Sequence, residues 1–132
     1  MAIKESTRKR TGNGESRLEV FTAKPFSLAE SVSKRLGATR EQMAKYIGIT
    51  YRTYQRRAQK GELEDAESAK VEMLDSLIDL AQRILGSEEE AREWLTSPIL
   101  SLGGERPIDL LATVRGYERV KNKLLQIEYG TF

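Results

Sequence analysis

Apolar residues along this chain recur at three- and four-residue intervals, and nowhere do they alternate. Such spacing places side chains on one face of a helix, whereas alternation would mark a strand. The first stripe is Leu28, Val32 and Leu36 in "SLAESVSKRLG", where Ser27 and Glu30 predict a capping box and Gly37 a stop. A second helix is predicted between Thr39, with Gln42 three positions on, and Gly48; Met43, Ala44 and Ile47 form its inner face. Thr50 caps a third, "YRTYQRRAQK", which stops at Gly61.

The strongest stripe follows. Leu74, Leu77, Ile78, Ala81, Ile84 and Leu85 all fall on one face of a helix over 65–85, closed by Gly86. In "SEEEAREWL", Ser87 and Glu90 predict another capping box, with acids at the positive end of the helix. Residues 94–111, "WLTSPILSLGGERPIDLL", interrupt the periodicity. Gly103 and Gly104 read as a corner, Trp94 as a core anchor beneath it, and Pro107 with Asp109 as a helical first turn. The last helix, about 116–129, shows Tyr117, Val120, Leu124 and Ile127 on one side. The predicted fold class is all-α.

Three segments follow from this pattern. Residues 1–17, with Arg8, Lys9 and Arg10, are polar and read as a disordered basic tail. Residues 18–63 form a helix-turn-helix module, with 18–26 as a connector packing on its first helix. Residues 64–132 form a second small helical domain. A chain of 132 residues with 39% hydrophobic content has little core to bury, so modules of this size gain from dimerising.

Composition narrows the chemistry. Cysteine and histidine are both absent, which removes disulfides, the commonest metal ligands and the commonest general base. No carboxylate pair sits in an apolar context that would raise a pKa. No catalytic residue, metal or cofactor is expected. There is no apolar run of membrane-spanning length and the N-terminus is charged, so no membrane association and a cytoplasmic location are expected.

The net charge of +2 hides a division: residues 1–61 hold 14 Lys/Arg against 5 Asp/Glu, and residues 62–132 hold 8 against 15. A basic half suits a polyanion and an acidic half a different partner, although the halves could also attract each other. Within the basic half, Ala44 supplies the small residue where two helices cross, and Gly48 the left-handed turn four positions on. Met43, Ile47, Ile49 and Tyr54 clamp the corner. The recognition face is then Tyr51, Arg52, Gln55 and Arg56, with Arg57 beside it, and Arg40 and Thr50 at helix starts suit phosphates. Tyr51 could instead pack inward, and the basic face could simply be solvated. One such module per chain implies a homodimer on two half-sites of an operator DNA.

The acidic half also carries a resemblance. From Ala91 to Gly130, through "WLTSPILSLGGERPIDLLATVRGYERV" and "IEYG", the chain resembles the toxin-binding domain of Xre/MbcA/ParS-type antitoxins. Arg106 stands where many relatives have a capping Thr or Ser before the proline. The resemblance implies a type II antitoxin, not itself an enzyme, that neutralises a RES-domain toxin, which consumes NAD⁺ or uses it for ADP-ribosylation. It also implies that the complex represses its own promoter. By the same resemblance the C-terminal end lies near the toxin's NAD⁺ site, which assigns toxin contact to Tyr129, Gly130, Thr131 and Phe132. Glu105 and Arg106 in "GGERP" are further candidates. The alternative is a helix-turn-helix regulator whose acidic half only dimerises or senses a ligand.

Overall fold

The computed structural model describes residues 24–130. The basic tail 1–17, the first six connector residues 18–23, and Thr131 and Phe132 lie outside the described residues. Six helices follow a two-residue strand: β1 (Lys24–Pro25), α1 (Ser27–Leu36), α2 (Arg40–Ile47) and α3 (Tyr51–Lys60). A second short strand, β2 (Glu62–Leu63), leads into the long α4 (Asp65–Leu85) and then α5 (Glu88–Leu95). Two 3₁₀ turns (Leu100–Leu102 and Pro107–Leu110) precede α6 (Val114–Tyr129). The all-α reading holds.

The antiparallel pair β1–β2 sets Lys24 opposite Leu63 and Pro25 opposite Glu62. Two residues are too few to leave an alternating pattern, so this ladder has no signature in the sequence. It also corrects the predicted start of α1. The Phe26 N–H donates to the Gly61 carbonyl at 2.9 Å, and the Phe26 carbonyl accepts from Ala29 at 2.9 Å. Phe26 is thereby the cap residue, and Ser27 is already helical, with no side-chain cap. Glu30, released from the expected box, instead accepts from the Tyr54 hydroxyl and from Arg40, each at 3.0 Å.

α2 begins as predicted. Thr39 Oγ1 accepts from the Gln42 N–H at 3.1 Å while the Gln42 side chain accepts from the Thr39 N–H at 2.8 Å. Gly48 ends it at φ 81°, a left-handed conformation that glycine adopts without steric cost. Met43, Ala44, Ile47 and Tyr54 are buried at the corner between α2 and α3. Ser87 caps α5 through the Glu90 N–H at 3.1 Å, without the reciprocal bond from the Glu90 side chain.

α4 is the spine. It buries Val71, Leu74, Leu77, Ile78 and Ala81, and α1, α2, α5 and α6 pack against it. One continuous hydrophobic cluster runs from Phe26 to Leu124, so the two halves share a core. Ion pairs reinforce the junction. Arg35 of α1 bonds Asp75 at 2.7 Å and Asp79 at 2.8 Å on α4, and Glu88 at 2.6 Å on α5. Burial alone would lower its pKa, but the three carboxylates outweigh that and raise it. Arg92 returns the tie by donating to the Arg35 carbonyl at 3.0 Å.

The opening of α6 rests on a close backbone approach. Thr113 caps it by accepting from the Gly116 N–H at 3.0 Å, and a Cβ at Gly116 would lie 1.7 Å from the Leu110 carbonyl oxygen. Helix and preceding turn therefore touch with no room for a side chain. Gly116→Ala should destabilise the fold by about 1–3 kcal/mol, since neither backbone can retreat cheaply. Urea unfolding measures this, and an unchanged midpoint would contradict the close approach.

Candidate nucleic-acid interface and partner surface

α3 lies across the α2 corner with one side anchored and the other bare. Tyr54 is fully buried, its ring edge-on to Phe26 at 4.9 Å between centroids. Burial first, then the hydrogen bond to Glu30, pushes its hydroxyl pKa up, so it remains a neutral donor. The opposite side of α3 exposes Arg52, Gln55 and Arg56. None of their three side chains has a hydrogen bond or ion pair among the described residues. Tyr51 is 41% exposed and belongs to this outer side rather than to the core. Gln59 and Lys60 continue the bare side toward the C-terminal end of α3; their i+7 and i+8 spacing from Arg52 is a signal the sequence reading passed over.

Three other candidate positions are placed differently. Thr50 caps α3, its Oγ1 accepting from the Thr53 N–H at 3.1 Å. Arg40 is held by Glu30 and stacks over Phe26 at 5.7 Å, so its guanidinium is partly engaged. Arg57 points away from the bare side. It bonds Glu67 at 2.8 Å and Glu64 at 3.3 Å, in the first turn and at the cap of α4. Burial disfavours the Glu67 carboxylate, but bonds from Arg57 and the Glu64 N–H outweigh it and lower the pKa. Arg57 therefore fixes the angle of α3 rather than joining the exposed row.

In the acidic half, the "SPILSLGGERP" corner is a closed structure. Ile99 and Glu105 form an antiparallel bridge, the Ile99 N–H donating to the Glu105 carbonyl at 3.0 Å. Gly103 and Gly104 both take positive φ, 77° and 80°, which is why two glycines stand together. Arg106 bonds Asp109 twice, at 2.8 and 3.0 Å, so an ion pair braces the 3₁₀ turn in place of a hydroxyl cap. Glu105 remains exposed. Trp94 is half-buried against the core. At the far end, Gly130 closes α6 at φ 70° and Tyr129 is 73% exposed. Leu100 and Val114 are also strongly exposed; neither was singled out by periodicity.

Residues 22–74 match the antitoxin Xre-like helix-turn-helix domain, and residues 80–130 match the antitoxin Xre/MbcA/ParS C-terminal toxin-binding domain. The chain belongs to the Xre/MbcA/ParS antitoxin family. It is 28% identical to the antitoxin Xre of Photorhabdus laumondii over 111 residues, covering 80% of this chain and 73% of that one. It is 47% identical to the Prs ADP-ribosylating antitoxin of a Sphingobium species over 47 residues, 33% of this chain and 30% of that protein. A segment of 49 residues is 43% identical to 6-hydroxy-3-succinoylpyridine 3-monooxygenase HspA of Pseudomonas putida, 37% of this chain but 16% of the monooxygenase. The chain thus spans well under a third of that enzyme, and the likeness to it is local.

As an antitoxin of this family, the molecule joins a DNA-binding helix-turn-helix to a toxin-binding region. The two matched regions are separated by residues 75–79, which lie within α4. No helix among the described residues is long and apolar enough to cross a membrane.

Two expectations follow from this geometry. If each side chain reads a base, Arg52→Ala or Arg56→Ala should cost about 1–3 kcal/mol of binding to the operator and little on a scrambled duplex. Equal small losses on both duplexes, measured side by side, would make them phosphate contacts. The second concerns Glu67. Its folded pKa lies below its unfolded one, so its stabilisation is complete above the unfolded value and is lost as pH falls through the folded value. Thermal melts from about pH 7 to about pH 3 should show Glu67→Gln well below the parent at neutral pH, with the gap closing in acid. A constant gap would refute the pairing.

Proposed function

We propose that this antitoxin neutralises a RES-domain toxin that consumes NAD⁺ or uses it for ADP-ribosylation, and represses its own operon through operator DNA. The observation that carries the DNA half is the row Arg52, Gln55 and Arg56, exposed and unengaged on a helix whose other side is anchored. Guanidinium and amide groups at that spacing match the hydrogen-bonding edges of guanine and adenine in a major groove. Two copies of the module are needed to read two half-sites about one helical turn apart, which supports a homodimer within the toxin–antitoxin complex. Tyr51 and Thr50 flank the reading row, with Arg40 beside the backbone. Arg57 acts behind it.

For the toxin half, the family resemblance and the acidic excess of residues 62–132 support a protein partner. The proposed contact runs along Tyr129 and Gly130, both exposed, with Thr131 and Phe132, and along Glu105 and Arg106 of the corner. The chain acts by binding and carries no catalytic step of its own.

The test expresses the adjacent toxin gene alone and together with this chain, following growth and cellular NAD⁺. Toxin alone should arrest growth and deplete NAD⁺, and co-expression should restore both. A toxin that arrests growth with NAD⁺ intact would replace the RES assignment, and no rescue by this chain would remove the neutralising role.

A further inference from the structure

Leu100 is 92% exposed at the tip of the corner between α5 and α6. The backbone beneath it is held on every side. Gly104 and Leu102 donate to the Ile99 carbonyl at 3.0 and 2.9 Å, and Gly103 donates to the Leu100 carbonyl at 3.0 Å. With the Ile99–Glu105 bridge below, the leucine is presented on a rigid base. An isolated exposed leucine is ordinary. The chain neighbour of Leu100, Ile99, lines an open groove of about 370 Å³ together with Leu85, Trp94 and Ser97, with Glu90 and Glu93 on the wall. The side chains of Glu90 and Glu93 are exposed and have no ion pair among the described residues. The feature is a fixed apolar knob beside an apolar groove with an unsatisfied acidic edge.

We propose that Leu100 and the Leu85–Trp94–Ile99 groove form an anchoring docking surface for the toxin, which meets them with an apolar patch edged by Lys or Arg. The proposal rests on the antitoxin reading and adds an anchoring surface to the contacts proposed at Tyr129–Phe132 and at Glu105 and Arg106. Two arguments select this occupant. The patch lies wholly within residues 80–130, the region that matches the toxin-binding domain. A second copy is disfavoured by charge: two-fold pairing would set Glu90 and Glu93 of one copy near those of the other, and like charges across an interface repel. A pre-ordered apolar anchor loses little conformational freedom on binding, which is how a small contact becomes a strong one.

The experiment uses the full chain and the purified product of the adjacent toxin gene, with affinity measured by calorimetry. Leu100→Asp should weaken toxin binding about 10- to 100-fold, the range of an anchoring hot spot. Its melting temperature and its affinity for the operator duplex should match the parent, because Leu100 packs on nothing. Glu90→Lys combined with Glu93→Lys should weaken toxin binding as well and flatten its salt dependence. Parental toxin affinity in Leu100→Asp overturns the proposal. So does retained toxin affinity with altered sedimentation of the free chain, which would assign the knob to self-association. Absence of toxin binding by the parent chain overturns the antitoxin reading itself, and that result is visible before any variant is made.

Discussion

Everything in this molecule depends on the burial of both flanks of α4. Leu74, Leu77, Ile78 and Ala81 receive α1 and α2 from the DNA-binding side and α5 and α6 from the toxin-binding side. Both sets of helices bury their apolar faces in one cluster, which suits the poor surface-to-volume ratio of very small domains. The shared helix resolves this by giving two functional modules one interior.

Charge follows the same logic. Part of the charge of the basic and acidic halves is used within the fold. Arg35 holds Asp75, Asp79 and Glu88; Lys24 holds Glu72; Arg57 holds Glu64 and Glu67. Attraction between the halves is therefore realised at the junction. What remains unengaged is more informative than the totals. Among the described residues, on α3 it is Arg52, Arg56 and Lys60, and on α5 it is Glu89, Glu90 and Glu93.

Local signals were readable where one helix carries both ends of an interaction. Thr39, Gln42 and Gly48 declare the limits of α2, and the α4 stripe declares its buried face. Signals failed where the partner is distant in sequence. Ser27 lost its expected capping role because a ladder to Glu62–Leu63 fixes the chain one residue earlier. Arg57 has the spacing of the exposed row, but the start of α4 folds back to meet it through Glu64 and Glu67. Gly116 carries no positive φ and no turn signature; only the position of the Leu110 carbonyl explains it. Leu100 sits among leucines that are buried, and its outward placement follows from two successive left-handed glycines that no periodicity encodes.

The absence of a linker between the two modules has a consequence for turnover. In a protein whose read-head and inhibitory surface fold separately, partial unfolding or a single cut can remove one activity and spare the other. Here a local opening of α4 exposes the interior of both at once. A protease that captures that open state would disable the DNA-binding and toxin-binding regions in one event.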